Sequence, residues 1–286
     1  MFCLYYNPTT HRVHSLNGSG RSPTALTLSH ALSTIPASDL ARSGNRIPHS
    51  HVHAVTVPGA AAGWCDTAEK FGSGKLTLAQ ILAPAIELAE QGVPVSYVSA
   101  QMWNNGQGTL KRGSPTNCSE MLVGGERAPR EGEVIKLPGL ARTYRLLAEH
   151  GKKGFYEGEV AEAVISAVQA RGGVMSLGDL KDHGDRGSDE MDPISIEIPW
   201  GVDEEGQGKG RRKRVWECAP NGQGLVALQA LGILEALQDR GVIPVIGSEG
   251  GYGHNSVEYV SKSPLFFHRV FFICYSNYSV EQPFYI

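Results

Sequence analysis

The chain has 286 residues, enough for about two domains, and its 41% apolar and 8% aromatic content excludes a disordered polymer. Thirty-five glycines and sixteen prolines without a collagen period describe a turn-rich globular protein. Lys and Arg number 26 against 29 Asp and Glu, a net charge of −3, so no global basic field exists to drive nucleic-acid binding.

Met1 to Tyr6 is a short apolar and aromatic run, Asn7-Pro8 is a turn signal, and Arg12 to Leu16 alternates polar with apolar residues. Together they predict a β-hairpin. The loop NGSGRSP at 17–23 follows, and a short helix is expected over Ala25 to Leu32 with Pro23 at its first turn, which puts Arg21 at a loop-to-helix junction. Residues 33–51 are polar without a period and predict a surface connection, and His53 to Val57 reads as a short β-like run ended by Pro58-Gly59. Ala60 to Phe71 predicts a helix stopped by Gly72. Thr77-Leu-Ala-Gln80 has capping-box spacing ahead of Ile81, Ala85, Leu88 and Ala89, so a second helix should run to Gly92.

Residues 104–132 are rich in Gly, Pro and polar side chains and predict an irregular excursion. Helical patterning returns over Leu140 to His150, Glu159 to Ala170 and Ser176 to Leu180, with glycine stops at 151 and 172. Pro193 to Ile198 and Arg214 to Cys218 read as strands. Between them, Asp203 to Glu205 face Lys209 to Lys213 in sign, as in a long hairpin loop that neutralises itself. Gly222 to Leu237 predicts an amphipathic helix, residues 242–253 a Gly-rich loop, and no repeat is visible.

The longest apolar stretch, Leu265 to Tyr275, is broken by His268 and Arg269 and is far short of the ~20 residues of a membrane span. Residues 1–20 have no basic start, long apolar core or small-residue cleavage site, so no signal peptide is expected. Five scattered cysteines without a C-x-x-C support neither a disulfide framework nor a zinc ribbon.

Six strings occur in one order: HAVTVPGAAAGW at 53–64, LAPAIELAEQGVPV at 82–95, FYEGEVAEAV at 155–164, GGVMSLGDL at 172–180, PNGQG at 220–224 and GHNSVEY at 253–259. With them the chain resembles the large-chain half of a gamma-glutamyltransferase (glutathione hydrolase) over roughly residues 1 to 260. The resemblance implies an α+β fold, the N-terminal-nucleophile hydrolase αββα sandwich, here incomplete. It also implies a precursor that cuts itself, and a new N-terminal threonine that attacks the γ-glutamyl amide with its own α-amino group as base. Backbone N–H groups would stabilise the oxyanion, and water or an acceptor amine would resolve the acyl-enzyme. That threonine opens the family's second chain, beyond the point matching His254-Asn255-Ser256, so no catalytic residue is expected in this chain. Residues 261–286 show no family likeness and are read as an unrelated tail, a read-through or gene-model artefact.

The partners so implied are glutathione or another γ-glutamyl compound and the small catalytic chain of the same precursor. No cofactor, metal or nucleic acid is implied. Family members are commonly secreted or membrane-anchored, and this chain shows no such signal. The family places an arginine after the same hairpin to grip the substrate's α-carboxylate, which makes Arg21 the candidate substrate ligand. A planar guanidinium suits that bidentate, charge-assisted contact. Here the loop reads Gly-Ser-Gly-Arg-Ser-Pro, without the acidic residue that usually follows.

Other features read as structural. Thr9-Thr10-His11 superficially resembles the family's nucleophile string but sits at the first hairpin turn, ahead of the large-chain strings. His49, His51 and His53 alternate and would share one face of a half-exposed strand; no fourth metal ligand accompanies them. Cys65 is expected as a small core residue. Arg211 to Arg214 is read as part of the solvated hairpin and not as an import signal. Asn17, Asn117 and Asn277 satisfy N-x-[ST], and Asn17 lies in the loop of Arg21. PNGQG reads as a structural turn into a helix. Two competing functions remain: an acylase of the same superfamily, and a non-catalytic fragment or pseudoenzyme with a binding role.

Overall fold

In the computed structural model the described residues are 1–199 and 211–242. In chain order they form strands β1 (Phe2–Asn7) and β2 (Arg12–Asn17), helices α1 (Leu28–Thr34) and α2 (Ala37–Arg42), and a 3₁₀ turn at Val52–Ala54. Then come α3 (Ala60–Phe71), α4 (Leu78–Gln91), β3 (Val93–Pro94), α5 (Tyr97–Gly113), a second 3₁₀ turn at Cys118–Met121 and β4 (Val134–Ile135). The remainder is α6 (Pro138–His150), α7 (Lys153–Tyr156), α8 (Gly158–Gln169), α9 (Leu177–Arg186), β5 (Asp189–Met191), β6 (Ile194–Pro199), β7 (Arg212–Glu217) and α10 (Gly224–Asp239). The fold is mixed helix and strand. Its described strands make three small antiparallel sheets, ordered β1-β2-β5, β3-β4 and β6-β7.

Two compact units divide the described residues, one built from residues 1–18 with those described from Asp189 to Val242, the other from 19–188. In the first unit β1 and β2 form the expected hairpin, from the Phe2–Asn17 pair to the Asn7–Arg12 pair. Its turn is closed by the Asn7 carboxamide oxygen, which accepts from the backbone N–H of Thr9 at 2.9 Å and of Thr10 at 3.2 Å. Thr9-Thr10-His11 is therefore an Asx-type turn. The β6-β7 pair places Glu197 opposite Arg214, and α10 packs on both strands. Arg212 donates to Glu235 of α10 at 2.8 Å and Arg214 Nε donates to Glu197 at 3.1 Å. The basic run thus lies largely within a strand and takes its acidic partners from β6 and α10; the predicted partners at 203–205 lie outside the described residues. So do the 242–253 loop beyond Val242, the string at 253–259, Asn277 and the tail.

The second unit has a helical core around Val57, Ala61, Ala62, Leu82, Leu147, Tyr156, Met175 and Leu180. Thr77 and Gln80 make the predicted capping box of α4, and Ser176 with Asp179 makes a second one that starts α9. Helix α3 has no side-chain cap at Gly59. Tyr156 of α7 replaces it: its hydroxyl accepts from the first-turn N–H of Ala62 at 3.0 Å and donates to the Pro58 carbonyl at 2.6 Å. Burial pushes this phenol up to about 12. Tyr156→Phe should cost about 1–3 kcal/mol, because a buried helix-start N–H loses its acceptor, and a thermal unfolding series measures it.

Three sequence expectations are corrected here. Residues 104–113 are not irregular, since α5 runs unbroken from Tyr97 to Gly113. Ser96 caps its start, Lys111 and Arg112 sit in its last turn, and Gln107 accepts from the Ala128 N–H at 3.0 Å, so tertiary anchoring outweighs the weak helix propensity of its Asn and Gly residues. His53 to Val57 is not a strand either: Val52–Ala54 is a 3₁₀ turn, and His53 is buried. Nor does a helix cover Ala25; α1 starts one turn later because Thr27 is the cap, accepting from the His30 N–H at 3.1 Å.

Candidate functional site

Arg21 follows Gly20, whose backbone lies so close to the next segment that a Cβ there would collide with the Thr56 side chain and the Val57 carbonyl. The same contact is fixed by the Val57 N–H, which donates to the Arg21 carbonyl at 2.9 Å. Backbone pairing thus places the loop, which leaves the Arg21 side chain to the helices of the second unit.

Helix α9 supplies two contacts from one face. Asp179 and His183 are four residues apart, so their side chains stand one turn above each other. Asp179 accepts from the Thr24 N–H at 2.8 Å while also capping its own helix through Ser176. Burial works against its charge, but the hydrogen bonds from Thr24 and Ser176 outweigh that and hold its carboxyl below the usual range. His183, 2% exposed, lies with its Nδ1 3.0 Å from Arg21 Nη1. A guanidinium can only donate, so His183 Nδ1 accepts and its hydrogen sits on Nε2. The His183 ring packs against Tyr156, with centroids 5.4 Å apart. A partly buried guanidinium results, oriented by a neutral imidazole beside a phenol; it is a donor fork suited to a carboxylate.

Below the same helix, Asp66 of α3 is 4% exposed, forms an ion pair with Lys152 and accepts from the Ser188 N–H at 2.6 Å. Gly187 makes the approach possible: its φ of +67° is one L side chains rarely adopt, and a Cβ there would lie 2.7 Å from both Asp66 Oδ2 and Lys152 Nζ. Cys65, next to Asp66, packs against the core, and burial pushes its thiol up.

Sequence reading singled out Arg21 but not His183, Asp179, Asp66 or Lys152. The usable signal was the Asp179/His183 spacing behind the Ser176 capping box. His51 and His53 do come together, joined by His30, yet they share no strand face, and His49 has no part in that cluster. Among the described residues no group of three or more His, Cys, Asp or Glu side chains could hold a metal, and no helix is long and apolar enough to cross a membrane.

The gamma-glutamyltranspeptidase family model matches residues 1–258. The chain is 30% identical over 235 residues to the glutathione hydrolase-like YwrD proenzyme of Bacillus subtilis, covering 82% of this chain and 39% of the relative. Among solved structures it superimposes on the gamma-glutamyltranspeptidase of Pseudomonas nitroreducens with a TM-score of 0.66 at 25% identity, over 95% of this chain and 70% of that one. It matches the cephalosporin acylase of Bacillus halodurans with a TM-score of 0.65 at 32% identity, over 94% of this chain and 44% of that one. The match spans between 23% and 39% of the length of these curated relatives. Family model, relatives and fold agree, and the chain belongs to the gamma-glutamyltranspeptidase family.

Proposed function

We propose that residues 1–260 are the large-chain part of an enzyme that hydrolyses or transfers the γ-glutamyl group of glutathione or a related conjugate, with Arg21 gripping the α-carboxylate. The observation that carries this reading is the hydrogen bond that fixes Arg21 on His183, in a loop anchored by backbone to Val57 and by Asp179 to α9. His183 is the positioning residue in this account. The nucleophile is an N-terminal threonine on a small chain outside residues 1–286, whose strands complete the αββα sandwich of the N-terminal-nucleophile hydrolases. Residues 261–286 take no part in it.

In chemical terms, the threonine hydroxyl attacks the γ-carbonyl while its own α-amine takes the proton, the amine product leaves, and water or an acceptor amine releases the glutamyl group. This chain's task in that sequence is orientation, because a carboxylate held at a fixed point brings the γ-carbonyl to the nucleophile. The likeness to a cephalosporin acylase favours one second reading, an acylase acting on another dicarboxylic side chain, for which Arg21 would serve the same end.

Release of the chromophore from a γ-glutamyl anilide tests this. Residues 1–286 expressed alone should give none, and coexpression with a small chain that begins with threonine should restore turnover. Turnover by the isolated chain that vanishes in Thr10→Ala would overturn the assignment of the nucleophile. A glutaryl amide turned over in preference to the γ-glutamyl one would select the acylase reading.

A further inference from the structure

Three histidines outside the Arg21 site, His30, His51 and His53, form a cluster of their own. The His53 ring lies between two others, 4.7 Å from His51 and 5.2 Å from His30 of α1 by ring centroids. Hydrogen bonds fix which ring nitrogen carries the hydrogen at His51 and His53. His51 Nδ1 accepts from the His53 N–H at 3.2 Å and so caps the 3₁₀ turn. An accepting ring nitrogen carries no hydrogen, so a hydrogen on His51 Nδ1 is incompatible with that cap.

His53 is fixed by Thr34. The one hydroxyl hydrogen of Thr34 goes to the His30 carbonyl at 2.7 Å, so the Thr34 oxygen, 2.9 Å from His53 Nε2, accepts from it. His53 therefore holds its hydrogen on Nε2, and its Nδ1 is a buried lone pair with no hydrogen-bond partner among the described residues. His30 Nε2 is likewise buried without one. A second proton on His53 would enter a site that is 6% exposed.

We propose that His30, His51 and His53 form an acid-sensitive latch, which fastens the 3₁₀ turn and the Arg21 loop at neutral pH and releases both on acidification. Among the described residues the titratable groups acting on His53 are His51, from the segment before the turn, and His30, from α1, with no carboxylate. Burial first, then these two neighbours, holds the His53 imidazole below its ordinary value. A group whose folded value is lowered contributes stability that is complete above its unfolded value of about 6.5 and is lost as pH falls through the lower folded value. Transmission is short: three residues beyond the turn, Val57 donates to the Arg21 carbonyl, and Thr56 packs on Gly20. The latch does not depend on the substrate assigned to Arg21.

Amide exchange of the 286-residue chain, followed peptide by peptide and normalised for intrinsic rate, tests it. Between pH 7.5 and 5.5 the segments 51–57 and 19–24 should lose protection about tenfold while α6 and α8 keep theirs. His51→Asn retains a capping oxygen without a titrating group, and His51→Asn with His53→Gln should reduce the loss to about threefold or less. Unchanged protection in the wild type, a loss of equal size in the double variant, or a loss spread equally over α6 and α8 would each overturn the latch. Proton NMR of the wild type gives an independent check. A His53 ring midpoint below that of an exposed histidine, matched by the exchange change, supports the latch; a midpoint at or above it refutes it.

Discussion

Asp66→Ala is expected to cost about 3 kcal/mol of folding free energy, the low end of the range for breaking a buried ion pair. The carboxylate is nearly fully buried, and its removal leaves the Lys152 ammonium and the Ser188 N–H without their acceptor. Lys152 keeps about a quarter of its side-chain exposure, which is why the low end applies. Asp66→Asn should lose less, since its amide oxygen can still accept from Ser188. Burial opposes the Asp66 charge, but hydrogen bonds from Lys152 and Ser188 prevail and hold its carboxyl below the ordinary value. Its contribution is thus complete above about pH 4 and lost as pH falls through the lowered folded value. Urea unfolding at several pH values should show the gap between wild type and Asp66→Asn closing in acid.

Arg21→Ala, in the assembly with a threonine-bearing small chain, is expected to raise KM for a γ-glutamyl anilide about 10- to 150-fold, the equivalent of about 1.5–3 kcal/mol for a charge-assisted hydrogen bond. His183→Leu should reproduce part of that rise, because the guanidinium loses the acceptor that orients it. His183→Asn, which keeps an oxygen near the Nδ1 position, should recover most of it. An Arg21 that merely braced the loop would instead lower stability and raise KM without regard to the substrate's α-carboxylate, while the backbone contact of Arg21 with Val57 survives either substitution.

Local chemistry was legible in the chain. Thr77 with Gln80, the Gly92 stop, and the apolar run before and the alternation after the Asn7-Pro8 turn each encode their element within a few residues, and each has its expected form. What stayed hidden depends on residues far apart in sequence. Helix α5 contains Asn104, Asn105, Gly106 and Gly108, and persists because distant groups anchor it. The 3₁₀ turn at 52–54 needs Thr34 beside His53, which a short β-like pattern cannot announce. Strand β5 has three residues, two of them acidic, and pairs with β2 across most of the chain. The same holds at the site: Arg21 was visible through the family pattern, but its partner His183 lies 162 residues away. Asp66 and Ser188 are 122 residues apart.

The most direct measurement of the central claim compares two substrates in the assembled enzyme, a γ-glutamyl anilide and the 4-aminobutyryl anilide that lacks only the α-carboxylate. Arg21→Ala should raise KM for the first about 10- to 150-fold and leave the second almost unchanged. Equal losses on both substrates would contradict the account, because Arg21 would then hold the loop and not the ligand.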